Sequence, residues 1–173
     1  MENFINLAKK RCSVRAYKDA PVEDDKIQAV LEAGRIAPSA CNNQPWKFLV
    51  IKSEEGLQKL KEASRTFNAP VAIIVFGDPD KVWTRTIDRK NALDIDTSIA
   101  AAHMVLEAED LGLSTCWICS FKPKVVVKNF NVPKKLVPVH IITLGYDADA
   151  KKSPNRHITE REPLTKIVVE ESF

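Results

Sequence analysis

Glycine is scarce in this chain. Only five occur among 173 residues, at positions 34, 56, 77, 112 and 145, too scattered for a G-x-G-x-x-G turn or a phosphate-cradling P-loop. Any phosphate must then be held by side chains. Long apolar runs are missing too. No stretch approaches the roughly 18 residues that suggest a membrane span, and the opening MENFINLAKK lacks the apolar centre of a secretory signal. No membrane partner is expected, and a cytoplasmic location is. Four cysteines in a chain of this length do not suggest a disulfide scaffold. Low-complexity segments and internal repeats are absent. Charge is nearly balanced, 26 basic against 23 acidic residues, and the short runs Lys9-Lys10-Arg11 and Lys134-Lys135 make no nucleic-acid footprint.

What is present suffices for one core. Apolar residues make up 45 % of the chain, and a chain of this size buries roughly 70 % of its unfolded surface. Residues 1–173 read as a single domain. The patterning predicts helices over 2–10, 23–36, 54–65, 94–111 and 123–130, and strands over 47–52, 71–77, 113–118 and 137–146. VAIIVFG (71–77) is apolar throughout, which suits a strand covered on both faces. In the helix over 94–111, Asp96 or Thr97 is the expected cap and Gly112 the expected stop. Its first half is Ala-rich and apolar nearly all round, the mark of a helix buried in a core or a subunit interface. Strands and helices interleave without a clean βαβ repeat, so the expected class is α+β, a central mixed sheet flanked by helices.

Three stretches carry candidate chemistry. In RCSVR, Arg11, Ser13 and Arg15 alternate, and an extended backbone would put all three on one side as an oxyanion site; a basic solvated turn is the alternative. CWIC, Cys116 to Cys119, has redox or zinc spacing, yet both cysteines fall in a strand-like run where positions i and i+3 face opposite ways. Two small buried hydrophobes are therefore expected there and no metal. His103, His140 and His157 share no ligand spacing; His103 reads as a satisfied core residue, and Asp94 and Asp96 as helix-start residues. The third stretch is APSACNNQPWKF (37–48), small and amide residues followed by an abrupt Pro-Trp. Small side chains let a backbone approach a ligand closely, and the tryptophan is a rigid anchor.

Taken in order, RCSVR, the loop with Pro-Ser and Gln-Pro-Trp, DTSIAAAHMVLEAEDLGLSTCWI, ITLGY and REPL resemble the nitroreductase family of flavoenzymes over nearly the whole chain. The resemblance implies a homodimer with FMN at the subunit interface. It also implies electron transfer from NADH or NADPH to a nitroaromatic, quinone or related small acceptor by a ping-pong hydride mechanism, the flavin rather than a side chain carrying the chemistry. Arg11, Cys12 and Ser13 fall at its phosphate site, with Arg161 of REPL completing it, and Arg15 at the pyrimidine edge of the flavin. Pro38, Ser39, Ala40 and Asn42 match a loop that reaches the partner's FMN, and the adjoining Cys41 is expected to meet substrate. Trp117, Ile118 and Cys119, with Ser120, are expected beside the isoalloxazine mainly through main chain.

There are departures. Cys12 stands where Arg or His is frequent, Ala40 where a hydroxyl is common, and Thr159 where a second cation often sits, a role Arg156 is placed to take; Arg65 is a candidate near flavin O2. The 83–94 region is short, which implies a more open pocket or one closed by other parts of the protein; Arg85 and Arg89 within it are candidate 2′-phosphate contacts, with a solvated face as the alternative. Two other functions fit the same resemblance: a flavin-binding module for storage or sensing without turnover, and a related flavin enzyme or dehalogenase acting on a non-nitro substrate.

Overall fold

Seven consecutive residues with no polar side chain leave VAIIVFG without a face for water. In the computed structural model, which describes residues 3–173, this run is β2 (Val71–Gly77), buried along its whole length. It lies inside a four-stranded sheet with β1 (Trp46–Ile51), β3 (Ser114–Ile118) and β4 (Val137–Gly145) in the order β1-β2-β4-β3. Each neighbouring pair of strands is antiparallel. The α+β class holds, and the parallel component of the expected mixed sheet reduces to one bridge, Ser13 to Thr115.

Period-two alternation sorts the core into two layers. Val71, Ile73, Val75, Ile142 and Leu144 point to one side, where α2 (Asp24–Arg35) and α4 (Leu93–Asp110) cover them through Val30, Met104, Val105 and Ala108. Ala72, Ile74, Phe76, Cys116, Ile118 and Ile141 point to the other, covered by Leu60 of α3 (Glu54–Lys61) and Val126 of α5 (Pro123–Asn129). Helices α2 and α4 approach closely at Gly34, where an added Cβ would stand 2.8 Å from Met104 Cγ.

The helix expected over 94–111 begins earlier, after Ala92, so Asp96 and Thr97 sit inside its first turns instead of capping it. Thr97 Oγ1 donates to the Leu93 carbonyl at 2.7 Å. Gly112 ends the helix as expected, with φ +74. α1 (Phe4–Lys10) is shorter than the predicted 2–10, and residue 2 lies outside the described residues. His103 is satisfied by the Ile99 carbonyl at 2.9 Å but is exposed, not a core residue. The chain ends in two short helices, α6 (Arg156–Thr159) and α7 (Leu164–Ile167).

Candidate functional site

The extended stretch after α1 runs along the open edge of β3. Ser13 bridges Thr115, and the Val14 N–H donates to the Thr115 carbonyl at 2.9 Å. Alternation then divides the side chains: Cys12 and Val14 pack inward with Ala69, while Arg11, Ser13 and Arg15 take the other side, Arg15 exposed and Arg11 and Ser13 half-buried; Tyr17, out of that phase, returns to the buried cluster. The buried Tyr17 hydroxyl lies 2.7 Å from Thr143 Oγ1, and burial pushes its pKa up.

Beside this strand-like edge opens a cavity of about 720 Å³. Its walls are Arg15, the 61–67 segment after α3, and the backbone from Cys116 to Lys122. Trp117, Ile118, Cys119 and Ser120 line it, so the second half of CWIC and the first arginine-rich stretch meet in one place. Arg65 shares the wall, and Arg15 lies 6.0 Å over the ring of Phe67. The rim is rich in cations, with Lys61 and Lys122 beside the two arginines and Glu62 the acidic member. Burial pushes the Cys116 thiol up, against the pull of Arg15, Arg11 and a hydrogen bond with Ser13. Cys116 is buried as expected; Cys119 is exposed, because β3 has ended before it. Among the described residues, no three His, Cys, Asp or Glu cluster as a metal site.

The phosphate candidates divide. Arg11 Nε is buried with no hydrogen-bond partner in the protomer. Arg156 reaches the same spot from α6, donating to the Arg11 carbonyl at 2.8 Å, and so holds the main chain of Arg11. Arg161 is exposed, and its guanidinium donates to the neighbouring Glu160 carbonyl at 3.5 Å. In the 83–94 segment, Arg85 grips Asp88 with two hydrogen bonds of 2.7 and 2.5 Å inside a tight turn, which leaves Arg89 as the guanidinium of the pair with no partner among the described residues.

The loop Pro38–Gln44 stands away from this cavity. Its backbone takes left-handed φ values at Cys41, Asn42 and Gln44, of 54, 55 and 51°. Such values cost roughly 1–3 kcal/mol for a non-glycine residue, and less for asparagine. Several bonds hold the loop in place. Ser39 Oγ accepts the Gln44 N–H at 2.9 Å, and Gln44 Nε2 donates to the Asn42 carbonyl at 2.8 Å. Trp46 anchors its far end, buried against Ala37 and Ala100 and stacked on Phe48.

Asp96, which is 1 % exposed, reaches out of α4 and accepts the Ala40 N–H at 3.0 Å. Sequence reasoning took this residue for a helix-start residue and missed its hold on the loop; its one signal was a carboxylate bordering the apolar, Ala-rich part of the helix. Asp96→Ala is expected to free the Ala40 amide, and Asp96→Asn to keep an acceptor there. A hydrogen bond to a charged group contributes about 1.5–3 kcal/mol, so amide protection at Ala40 should fall at least tenfold in the alanine variant by hydrogen exchange. Unchanged protection would show that Asp96 does not hold the loop.

Residues 8–67 and 60–146 match the model of the nitroreductase family. The chain belongs to that family. A solved nitroreductase family protein from Clostridium difficile 630 is 46 % identical, with a TM-score of 0.97 over 99 % of this chain and all of that one. An FMN-dependent nitroreductase from Clostridium difficile R20291 is 32 % identical, with a TM-score of 0.81 over 98 % of this chain and 99 % of that one. A protein of Bacillus subtilis named FMN reductase [NAD(P)H] is 27 % identical over 173 residues, 88 % of this chain and 70 % of the relative. As a nitroreductase family member the chain is an oxidoreductase. Among the described residues no helix is long and apolar enough to cross a membrane.

Proposed function

We propose that this nitroreductase family member binds FMN and uses NADH or NADPH to reduce a small organic acceptor, of the nitroaromatic or quinone kind. The observation that carries the reading is the buried Arg11 Nε without a partner among the described residues, on the same extended stretch whose Arg15 lines a cation-rimmed cavity with aromatic walls. Buried donors are seldom left unmade, and an anion with several acceptor oxygens would satisfy this one. The cavity volume falls within the usual range for cofactor sites, about 300–1,000 Å³. The relatives named for FMN and NAD(P)H support the same cofactor pair.

On this reading Arg11 and Ser13 hold the phosphate, with the adjacent Cys12 backbone and Arg161 closing the site, and Arg156 keeps Arg11 in register through its carbonyl. Arg15, backed by Arg65, lies toward the pyrimidine edge, where a cation favours negative charge on the ring. Trp117, Ile118 and Cys119 form the wall beside the ring. FMN, when bound, supplies two-electron chemistry between a nicotinamide and a second substrate that takes its place, in ping-pong order. The chain's contribution is to bind, to orient and to set the charge around the ring.

The loop Pro38, Ser39, Ala40, Cys41 and Asn42 belongs on this reading to the partner's site. The protomer offers surface for such a dimer. Leu164 is 72 % exposed, and Ile167, Val168, Val169 and Phe173 are exposed with it along the C-terminal segment, as are Ile95 on α4 and Phe4 and Ile5 on α1. Exposed apolar side chains in this number suit an association surface. The test is cofactor content. The purified protein should be yellow and release FMN, one per chain, identified by mass. A colourless protein that does not take up added FMN would overturn the proposal.

A further inference from the structure

β3 and β4 pair Ile118 with Ile141 at the end of the ladder. The next residue along β3 and the preceding one on β4, Cys119 and His140, then turn to the same side, and Cys119 Sγ lies 3.7 Å from His140 Nδ1. The other ring nitrogen, Nε2, is 2.9 Å from Ser98 Oγ on α4. Trp117 meets the imidazole edge-on, 4.9 Å between ring centroids, and limits its rotation. The imidazole is 7 % exposed, whereas Cys119 is exposed and forms part of the cavity wall. A buried, polar ring is thus aimed from behind at an accessible thiol. A nucleophile in reach of a base that a third group orients is the arrangement of activated side-chain nucleophiles. Burial lowers the pKa of His140, against the opposing pull of Asp94. Among the described residues, no such base lies beside Cys41, the other exposed cysteine.

We propose that Cys119 is a covalent site for conjugate acceptors, small molecules with a carbon–carbon double bond next to a carbonyl, with His140 as base and Ser98 as its orienting residue. In the step, sulfur bonds to the β-carbon and the double bond opens toward the carbonyl oxygen as an enolate. The thiol proton passes to His140 Nδ1 and is then returned to the α-carbon. The adduct keeps the whole mass of the acceptor, and nothing is oxidised or reduced. The inference goes beyond the proposed redox function but shares its cavity, so on that reading the acceptor reaches Cys119 beside bound FMN; no nicotinamide is needed.

The test uses the protein as purified, without NADH or NADPH, treated with 2-cyclohexen-1-one alongside free N-acetylcysteine, and followed by peptide mass spectrometry. Cys119 should gain the mass of one intact enone faster than the free thiol does. His140→Gln should slow that labelling on the order of tenfold or more while leaving the rate at Cys41 unchanged. Ser98→Ala, which removes one hydroxyl from α4, should also slow Cys119 and serves as the variant if His140→Gln does not fold. The proposal fails if Cys119 reacts no faster than N-acetylcysteine. It fails equally if labelling is unchanged in His140→Gln or, should that variant not fold, in Ser98→Ala.

Discussion

Arg11→Ala is expected to weaken FMN binding about tenfold to hundredfold. The variant removes the buried, partnerless Nε and, on the proposed reading, with it a charge-assisted bond to phosphate, an interaction of about 1.5–3 kcal/mol, which converts to that range in affinity. The fold should survive, because Arg156 grips the main-chain carbonyl of residue 11 and not its side chain. Arg11→Lys should rescue only in part, since an ammonium restores the charge without the planar fork. Fluorescence titration of the apoprotein with FMN measures this directly. Equal affinity in wild type and Arg11→Ala would return the residue to a solvated turn.

Mixed dimers should show a larger and more specific effect. If each FMN site takes Arg11 from one chain and Asn42 from the other, a heterodimer of Arg11→Ala with Asn42→Asp holds one site with both defects and one with neither. It should bind about one FMN per dimer tightly, while both mutant homodimers bind weakly. Aspartate is suited to position 42 because, like asparagine, it tolerates the left-handed φ of 55° found there. The variant therefore changes charge while sparing the loop, which Asp96 and Ser39 continue to hold. Deleting residues 163–173 should weaken dimerisation and FMN binding together, since a ligand bound only by the dimer stabilises it by mass action. A monomer by light scattering that still holds FMN tightly would refute shared sites.

Much of this was legible in the residues, for identifiable reasons. The alternation in RCSVR reads directly as an extended edge because side-chain direction has a period of two, and Cys12 and Val14 do pack inward while Arg11, Ser13 and Arg15 take the other side; Tyr17 falls out of that phase and is buried all the same. VAIIVFG reads as a covered strand because it offers water nothing. Gly112 reads as a stop because left-handed backbone favours glycine. The start of α4 was misplaced by local reasoning, which treats an early aspartate as a cap. Asp96 instead reaches the backbone of Ala40, 56 residues away in sequence, and no local signal reports such a contact.

CWIC misled in the same way. Strand spacing correctly separates Cys116 from Cys119, but where the strand ends decides that Cys119 is exposed. Its neighbour His140 is supplied by the β3–β4 register, which pairwise tertiary contact sets and which spacing among the histidines does not encode. Arg85 looked available as a phosphate ligand because its tie to Asp88 depends on a turn formed within the 83–94 segment.

The most direct test of the central claim, that this chain is an FMN-dependent, NAD(P)H-consuming oxidoreductase, is an anaerobic titration of the FMN-loaded protein with NADH and, separately, NADPH. The visible flavin absorption should bleach with about one equivalent of at least one donor per FMN, and return when a quinone or nitroaromatic is added. A protein that binds FMN at the Arg11 site yet stays yellow under excess of both donors would contradict the claim.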